Sequence, residues 1–169
     1  MDETAEEQVG LFDEQGRPAG SAPRSQVRRE NLRHAATAVL VRDGLGRVYV
    51  HRRTTMKDVF PGLHDCVAGG VLEVGEDPTE GAARELEEEL GITGVELRPL
   101  GRTLYEDEQT RYWAHQFAVV WHGPVRWQAS EVDWGTWMTP DELRAHLADP
   151  AWPFVPDTRA VMGPLLDTL

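Results

Sequence analysis

The stretch GVLEVGEDPTEGAARELEEELGI, residues 70–92, decides how the rest of the chain is read, because it combines a glycine-opened loop, a capped helix and clustered carboxylates. Asp77-Pro78-Thr79-Glu80 carries a helix start: Asp77 can cap, Pro78 suits the first helical position, and Glu80 stands three residues after the cap. Gly91 is a matching stop. At about 100° per residue, Ala82, Ala83, Leu86 and Leu90 form one apolar stripe predicted to bury against a sheet. Glu85, Glu88 and Glu89, spaced i, i+3, i+4, share another face, with Arg84 one turn from Glu88.

Carboxylates at this spacing repel one another by a few tenths of a kcal/mol per pair. A divalent cation turns the repulsion into a binding site. All-oxygen ligands suit a hard ion, and Mg²⁺, which keeps several waters and shares substrate phosphates, is the expected occupant, with Mn²⁺ as a substitute. An isolated Glu-x-x-Glu-Glu is ordinarily a solvated face. The surrounding residues change that reading.

Gly70, Glu76, Arg84, Glu85, Leu86, Glu88, Glu89, Gly91 and Ile92 stand at the fixed positions of the Nudix box. A chance match is on the order of 10⁻⁸ per starting point at this kind of composition, so the signal is specific. The chain therefore resembles the Nudix hydrolases. The resemblance implies an α/β fold, an α/β/α sandwich with a mixed β-sheet. It also implies Mg²⁺-dependent cleavage of a phosphoanhydride bond in a small molecule, a nucleoside diphosphate derivative.

Working outward, 169 residues make one ordinary domain. A formal net charge of −12 excludes a polymeric nucleic acid partner, which needs a basic face. It leaves room for a small-molecule diphosphate, because a metal and a few arginines reverse the local potential. No apolar run reaches membrane-spanning length, and the start MDETAEEQ is acidic rather than a signal sequence. A single cysteine, Cys66, rules out an internal disulfide and suits a reducing compartment, so the expectation is a soluble cytoplasmic protein.

Residues 1–30 read as an N-terminal extension: an acidic, frayed start, a small hairpin over residues 8–20 and a short helix from Ser25. It is suited to covering the site or to pairing two chains into a homodimer. Residues 31–169 read as the Nudix domain. HAATAVLVR and VYVHRR, joined by Asp43-Gly44-Leu45-Gly46, predict an antiparallel hairpin. A short strand over residues 65–68 is expected to lead into Gly69-Gly70, whose lack of side chains lets backbone approach a ligand. Further strands are predicted over residues 95–105, 112–121 and 134–138. Thr139-Pro140-Asp141-Glu142 opens another helix, and a terminal helix over residues 157–169 contains Gly163-Pro164.

The pieces HRRTTMKDVFPGLHD and AWPFVP, with the box, resemble the Nudix branch that includes type I isopentenyl-diphosphate isomerase. An isomerase is nevertheless disfavoured. Its catalytic cysteine and metal-binding histidine correspond here to Ala68 and to Gly70, and its later glutamates to Thr110 and Tyr112. Ala68 cannot move a proton. Cys66, two residues before Ala68, is expected on the same strand face as Ala68. A non-catalytic nucleotide-binding module is the remaining alternative, although such modules commonly lose the glutamates kept here.

The expected site follows. Glu88 and Glu89 are metal ligands, Glu85 is a third ligand or the base, and Arg84 positions the glutamates through charge-assisted hydrogen bonds. Glu76 and the Gly70 carbonyl complete or support the shell. Arg53 and Lys57 match positions that grip the substrate diphosphate in the isomerase. Glu131, and after it Glu106, are candidates for a further carboxylate from outside the box. The tryptophans are read as core residues and the scattered histidines are assigned no function.

Overall fold

A computed structural model describes residues 5–57 and 59–168. Residues 1–4, part of the acidic start expected to fray, lie outside them. The chain begins with a hairpin, β1 (Gln8–Phe12) and β2 (Pro18–Pro23), followed by helix α1 (Arg24–Glu30). Strands β3 (His34–Arg42), β4 (Val48–Arg53) and β5 (His64–Asp65) precede the long helix α2 (Pro78–Leu90). Then come β6 (Arg98–Glu106), β7 (Arg111–Val120), β8 (Val132–Met138), α3 (Pro140–Ala148) and α4 (Pro156–Leu166).

Strands β3 to β8 form one six-stranded mixed sheet, ordered β5-β4-β3-β7-β6 with β8 beside β4. Only the central pair β3–β7 is parallel, from His34 opposite Tyr112 to Arg42 opposite Val120. Alternation along β3 divides the core. Ala38 and Leu40 face Leu143 of α3 and Val161, Met162 and Leu166 of α4. Val39 and Val41 face Ala82, Leu86 and Leu90 of α2. Helices thus cover both faces, as side chains of opposite parity along a strand require.

The expected β3–β4 hairpin is only partly realised. The strands pair at Arg42 opposite Val48 and then splay, β4 continuing with β5 on the same edge and β8 on the other. The segment after β5 fills part of the gap: Val39 and Ala68 exchange backbone bonds of 2.7 and 3.0 Å, and Thr37 N–H donates to the Gly70 carbonyl at 2.9 Å. Gly69 permits the approach, since a Cβ there would stand 1.9 Å from the Thr37 carbonyl oxygen. The splay leaves β3 at the floor of a cleft.

This geometry also corrects the placement of Cys66. The strand expected over residues 65–68 ends at Asp65, so simple alternation fails. Cys66 is buried with Val48, Val50 and Leu143, on the opposite side of the sheet from Ala68. Burial pushes its thiol pKa up, and it does not line the cleft.

The N-terminal hairpin and α1 dock through a small core of Val9, Ala22 and Val27 packed with Leu32 and Val71. Backbone bonds from Val74 N–H to Gln8 O and from Phe12 N–H to Arg33 O tie the extension to the main sheet. Both α2 and α3 begin as read from their caps. Asp77 accepts from the backbones of Thr79 at 2.9 Å and Glu80 at 3.3 Å, and Thr139 with Glu142 makes a full capping box. Among the described residues no helix is long and apolar enough to cross a membrane.

Candidate active site

A cleft of about 880 Å³ lies in the split between β3 and β4. One wall is α2, held at its start by Asp77 and Pro78 and at its end by Gly91 in the left-handed region at φ 66°. Within this wall the glutamates are not equivalent. Glu89 is 6% exposed, whereas the side chain of Glu88 is 51% exposed and that of Glu85 lies between them. The apolar stripe is correspondingly rotated from its expected position: Gly81, Ala82, Leu86, Glu89 and Leu90 are buried and Ala83 is exposed. The helix turns Glu89 inward because the splayed sheet leaves a polar cavity there rather than a continuous apolar surface.

Arg84 organises this wall. Its Nε and Nη2 donate to the two carboxylate oxygens of Glu76, both at 3.0 Å, and its Nη1 donates to Glu85 at 2.9 Å. Glu88 stands 3.6 Å from the same Nη1. Such bidentate pairing fixes a guanidinium plane as well as its charge. Glu76 therefore reaches the site through Arg84 and does not itself line the cleft. Arg84 holds the Glu76 carboxyl below its ordinary range.

Glu85 and Glu89 are shifted the other way. Burial raises both; the Glu88 charge adds to the rise at Glu85, and the charges of Glu85 and Asp65 add to that at Glu89. Glu89 has no hydrogen-bond or ion-pair partner among the described residues. A buried carboxylate left alone is neutralised or paired with a cation.

Whether the donor set fits a divalent ion can be judged from these contacts. Gly70 lies against Glu85, since a Cβ on it would meet Glu85 Oε1 at 2.5 Å, so the loop carbonyl and the helix carboxylate share one corner. The Gly70 carbonyl accepts from the Thr37 N–H at 2.9 Å and more weakly from the Thr37 hydroxyl at 3.5 Å. Among the described residues no three His, Cys, Asp or Glu side chains converge as a ready-made metal cluster. Mutual repulsion and the grip of Arg84 hold the carboxylates apart, and an ion that keeps most of its waters does not need them to converge. The oxygen donors fit a hard divalent ion.

The facing wall is less uniform. Arg53 donates Nε and Nη2 to the Val59 carbonyl at 3.1 and 2.9 Å, fastening the loop after β4. Lys57 forms an ion pair with Glu131, so the expected phosphate grip and the expected extra carboxylate meet at the cleft rim. Glu106 does not line the cleft: it stands at the end of β6, paired with Arg33 at 2.6 Å, and is not carried forward as a metal-binding group. No tryptophan lines the cleft. Trp134 and Trp152 pack with His64 instead, and Trp113 donates to the Asp13 carbonyl at 3.0 Å beneath the N-terminal hairpin.

Sequence reasoning missed a third set of residues. Arg24 of the N-terminal extension and Asn31, just after α1, line the cleft, and Asp65, Tyr112, Asp157 and Thr158 line it from β5, β7 and α4. Tyr112 donates its hydroxyl to Asp157 Oδ2 at 2.6 Å, and Thr158 donates to Asp65 Oδ1 at 2.9 Å. Burial pushes Asp65 up to about 7, with the nearby Asp157 adding to the rise. No spacing in the chain announces this cluster, because its members come together only through the sheet.

Comparison with known proteins agrees with the fold. The NUDIX domain family matches residues 32–158. The chain is 48% identical over 169 residues to an uncharacterized Nudix hydrolase of Rhodococcus erythropolis, covering 94% of this chain and 91% of that one. Its fold is similar to DR0079 from Deinococcus radiodurans, with a TM-score of 0.77, 24% identity and coverage of 96% and 98% of the two chains. It is also similar in fold to the NUDIX domain of Shewanella oneidensis NrtR in complex with ADP ribose, with a TM-score of 0.61, 13% identity and coverage of 79% and 83%. The chain belongs to the Nudix family, and it is an enzyme of the pyrophosphohydrolase kind, acting on phosphoanhydride substrates. Enzymes of this family generally use divalent metal ions.

Proposed function

We propose that this chain is a Mg²⁺-dependent pyrophosphohydrolase acting in the cytoplasm on a small nucleoside diphosphate derivative. The observation that carries the reading is Glu89, a buried carboxylate without a partner, standing beside Glu85 in a cleft that cationic side chains also line. Such a group stays ionised only when a cation is supplied.

Bound Mg²⁺, or Mn²⁺ in its place, supplies charge to the phosphoryl oxygens and a water of lowered pKa. Glu88 and Glu89 would hold it, with the Gly70 carbonyl as a neutral donor from the loop. Glu85 is a third ligand or the base that takes a proton from the attacking water; burial raises its carboxyl above the ordinary range, which strengthens it as a base. Arg84, braced by Glu76, keeps Glu85 and Glu88 in position. Arg53 and Lys57 bind the diphosphate oxygens, and Glu131 restrains Lys57 until substrate displaces it. The same fold holds ADP ribose in the NrtR domain, which supports a substrate of that chemical kind.

A turnover screen tests the reading. Purified protein with Mg²⁺ is offered nucleoside di- and triphosphates, nucleotide sugars, dinucleotides and isoprenoid diphosphates, and both phosphate release and product mass are followed. Hydrolysis of one class, lost in Glu88→Gln, is the expected result. Activity that survives Glu88→Gln at ordinary Mg²⁺ removes the ligand assignment, and ligand binding without any turnover points to a regulatory module.

A further inference from the structure

Two oxygens at the cleft have no partner. Asn31 Oδ1 and Asp157 Oδ1 are both buried without a hydrogen bond, and both residues line the same cleft from outside the box. Buried acceptors are nearly always satisfied, so two orphans beside one cavity call for a donor that arrives with a ligand.

The orientation of each group is fixed by its other bonds. Asn31 sits at the end of α1 in the left-handed region, at φ 50°. Its Nδ2 donates to the Asp107 carbonyl at 2.9 Å, which assigns the free end of the amide as the oxygen. Its own backbone carbonyl accepts from Arg111 Nε at 2.8 Å. Asp157 takes the Tyr112 hydroxyl on Oδ2 at 2.6 Å, leaving Oδ1 unpaired.

Donors nearby are already engaged. The Thr158 hydroxyl is given to Asp65, Arg24 is paired with Glu7 at 2.9 Å, Arg53 with the Val59 carbonyl, and Lys57 with Glu131.

We propose that Asn31 and Asp157 form a subsite that reads hydrogen-bond donors, N–H or O–H, on the part of the substrate beyond its diphosphate. The proposal rests on the hydrolase reading above and deepens it. A hydrocarbon tail such as an isoprenoid has no donor and leaves both oxygens orphaned. A nucleobase amino group or a sugar hydroxyl satisfies them. The junction between the extension and the domain, where Asn31 ends α1, is then part of the substrate site. A site that hydrogen-bonds its substrate rejects a ligand lacking the donor far more strongly than an apolar pocket rejects an extra group.

The test compares three probes with Mg²⁺: ADP, with base and sugar donors; 5-phosphoribosyl 1-diphosphate, with sugar hydroxyls only; and isopentenyl diphosphate, with neither. Wild-type protein is expected to favour the first, the second or both over the third in kcat/KM, and which one separates base reading from sugar reading. Asp157→Asn keeps an acceptor for Tyr112 but turns the unpaired oxygen into an amide donor. It is expected to raise KM for the favoured probe by about tenfold, with kcat little changed, KM for isopentenyl diphosphate unchanged and Tm no lower. Asn31→Gly preserves the left-handed backbone, removes the second acceptor and is expected to act in the same direction. If the probe preference is the same in wild type and Asp157→Asn, or if isopentenyl diphosphate is favoured, the subsite does not exist. Should no probe turn over, the hydrolase reading fails and calorimetric binding decides the subsite. A donor preference erased by Asp157→Asn upholds it, while binding without preference, or none, overturns it.

Discussion

The wall formed by α2 presents Glu85, Glu88 and Glu89 from one turn and a half of a single helix, whereas the facing side is drawn from Asn31, Arg53, Glu131 and Asp157, held on four separate parts of the chain. On the first wall, position follows from the 3.6-residue period and two caps. On the second, it follows from the splay between β3 and β4 and from the docking of α1 and α4. The difference separates two kinds of residue. The carboxylates suited to holding a metal sit together in sequence, whereas the cations suited to gripping the diphosphate and the groups suited to choosing the organic part of a substrate sit far apart. Changes on the helix wall should therefore remove activity generally, and changes on the facing wall should redistribute it among substrates.

The largest effect should come from Glu89→Gln. A fall in kcat/KM of about 10³-fold is expected for every substrate, as for loss of a group that acts on transition-state charge. Because the neutral amide also removes a buried charge, Tm without Mg²⁺ should not fall. Equal activity in the two proteins, measured by initial rates, would break the contrast between the walls.

Next comes Gly69→Ala, which attacks the loop joining the floor to α2. Its Cβ would stand 1.9 Å from the Thr37 carbonyl oxygen, a backbone atom that cannot swing away. A loss of about 3 kcal/mol in urea unfolding is expected, with activity falling in step.

The pH dependence of metal-free stability is expected to be smaller. Folding raises Asp65 from 3.8 to about 7, so the native state holds its proton more tightly than the unfolded chain does. The stabilisation is full below about pH 4 and is lost as pH rises toward 7, with the raised Glu89 acting in the same sense. Asp65→Asn should flatten this slope by roughly 3 kcal/mol between those limits. Added Mg²⁺ should raise Tm more at pH 8 than at pH 5, because ligation needs ionised carboxylates. A metal-free protein that grows more stable between pH 4 and 7 would contradict the burial of these groups.

Smallest of all, Lys57→Ala should raise KM about threefold with kcat nearly unchanged, since its partly exposed pair with Glu131 already offsets much of its charge. An equal loss for all substrates, rather than one that follows their phosphate charge, would assign Lys57 to the loop and not to the grip.

The reach of sequence reading followed the same division. The caps at Asp77 and Thr139, the order of the main strands and the hairpin-plus-helix start were legible because each depends on neighbours a few residues away. Alternation failed at Cys66, where the strand stops at Asp65 and the chain turns to the other side of the sheet. The helical stripe was misjudged at Ala83 and Glu89, because which face is buried depends on what lies opposite. Glu106, ranked after Glu131 as an extra carboxylate, lies outside the cleft and pairs with Arg33 at 2.6 Å, a contact no sequence spacing announces.

By itself, then, the amino-acid order determined that a capped helix would carry three glutamates beside a glycine loop, and with it the family and its phosphoanhydride chemistry. Only the tertiary structure decided which glutamate is buried, which arginine and lysine are already paired, and that Asn31 and Asp157 share one cleft. The physical reason is range: helix period and capping act over a single turn, whereas burial and the partner of a charge are set by segments that meet only after the sheet has formed.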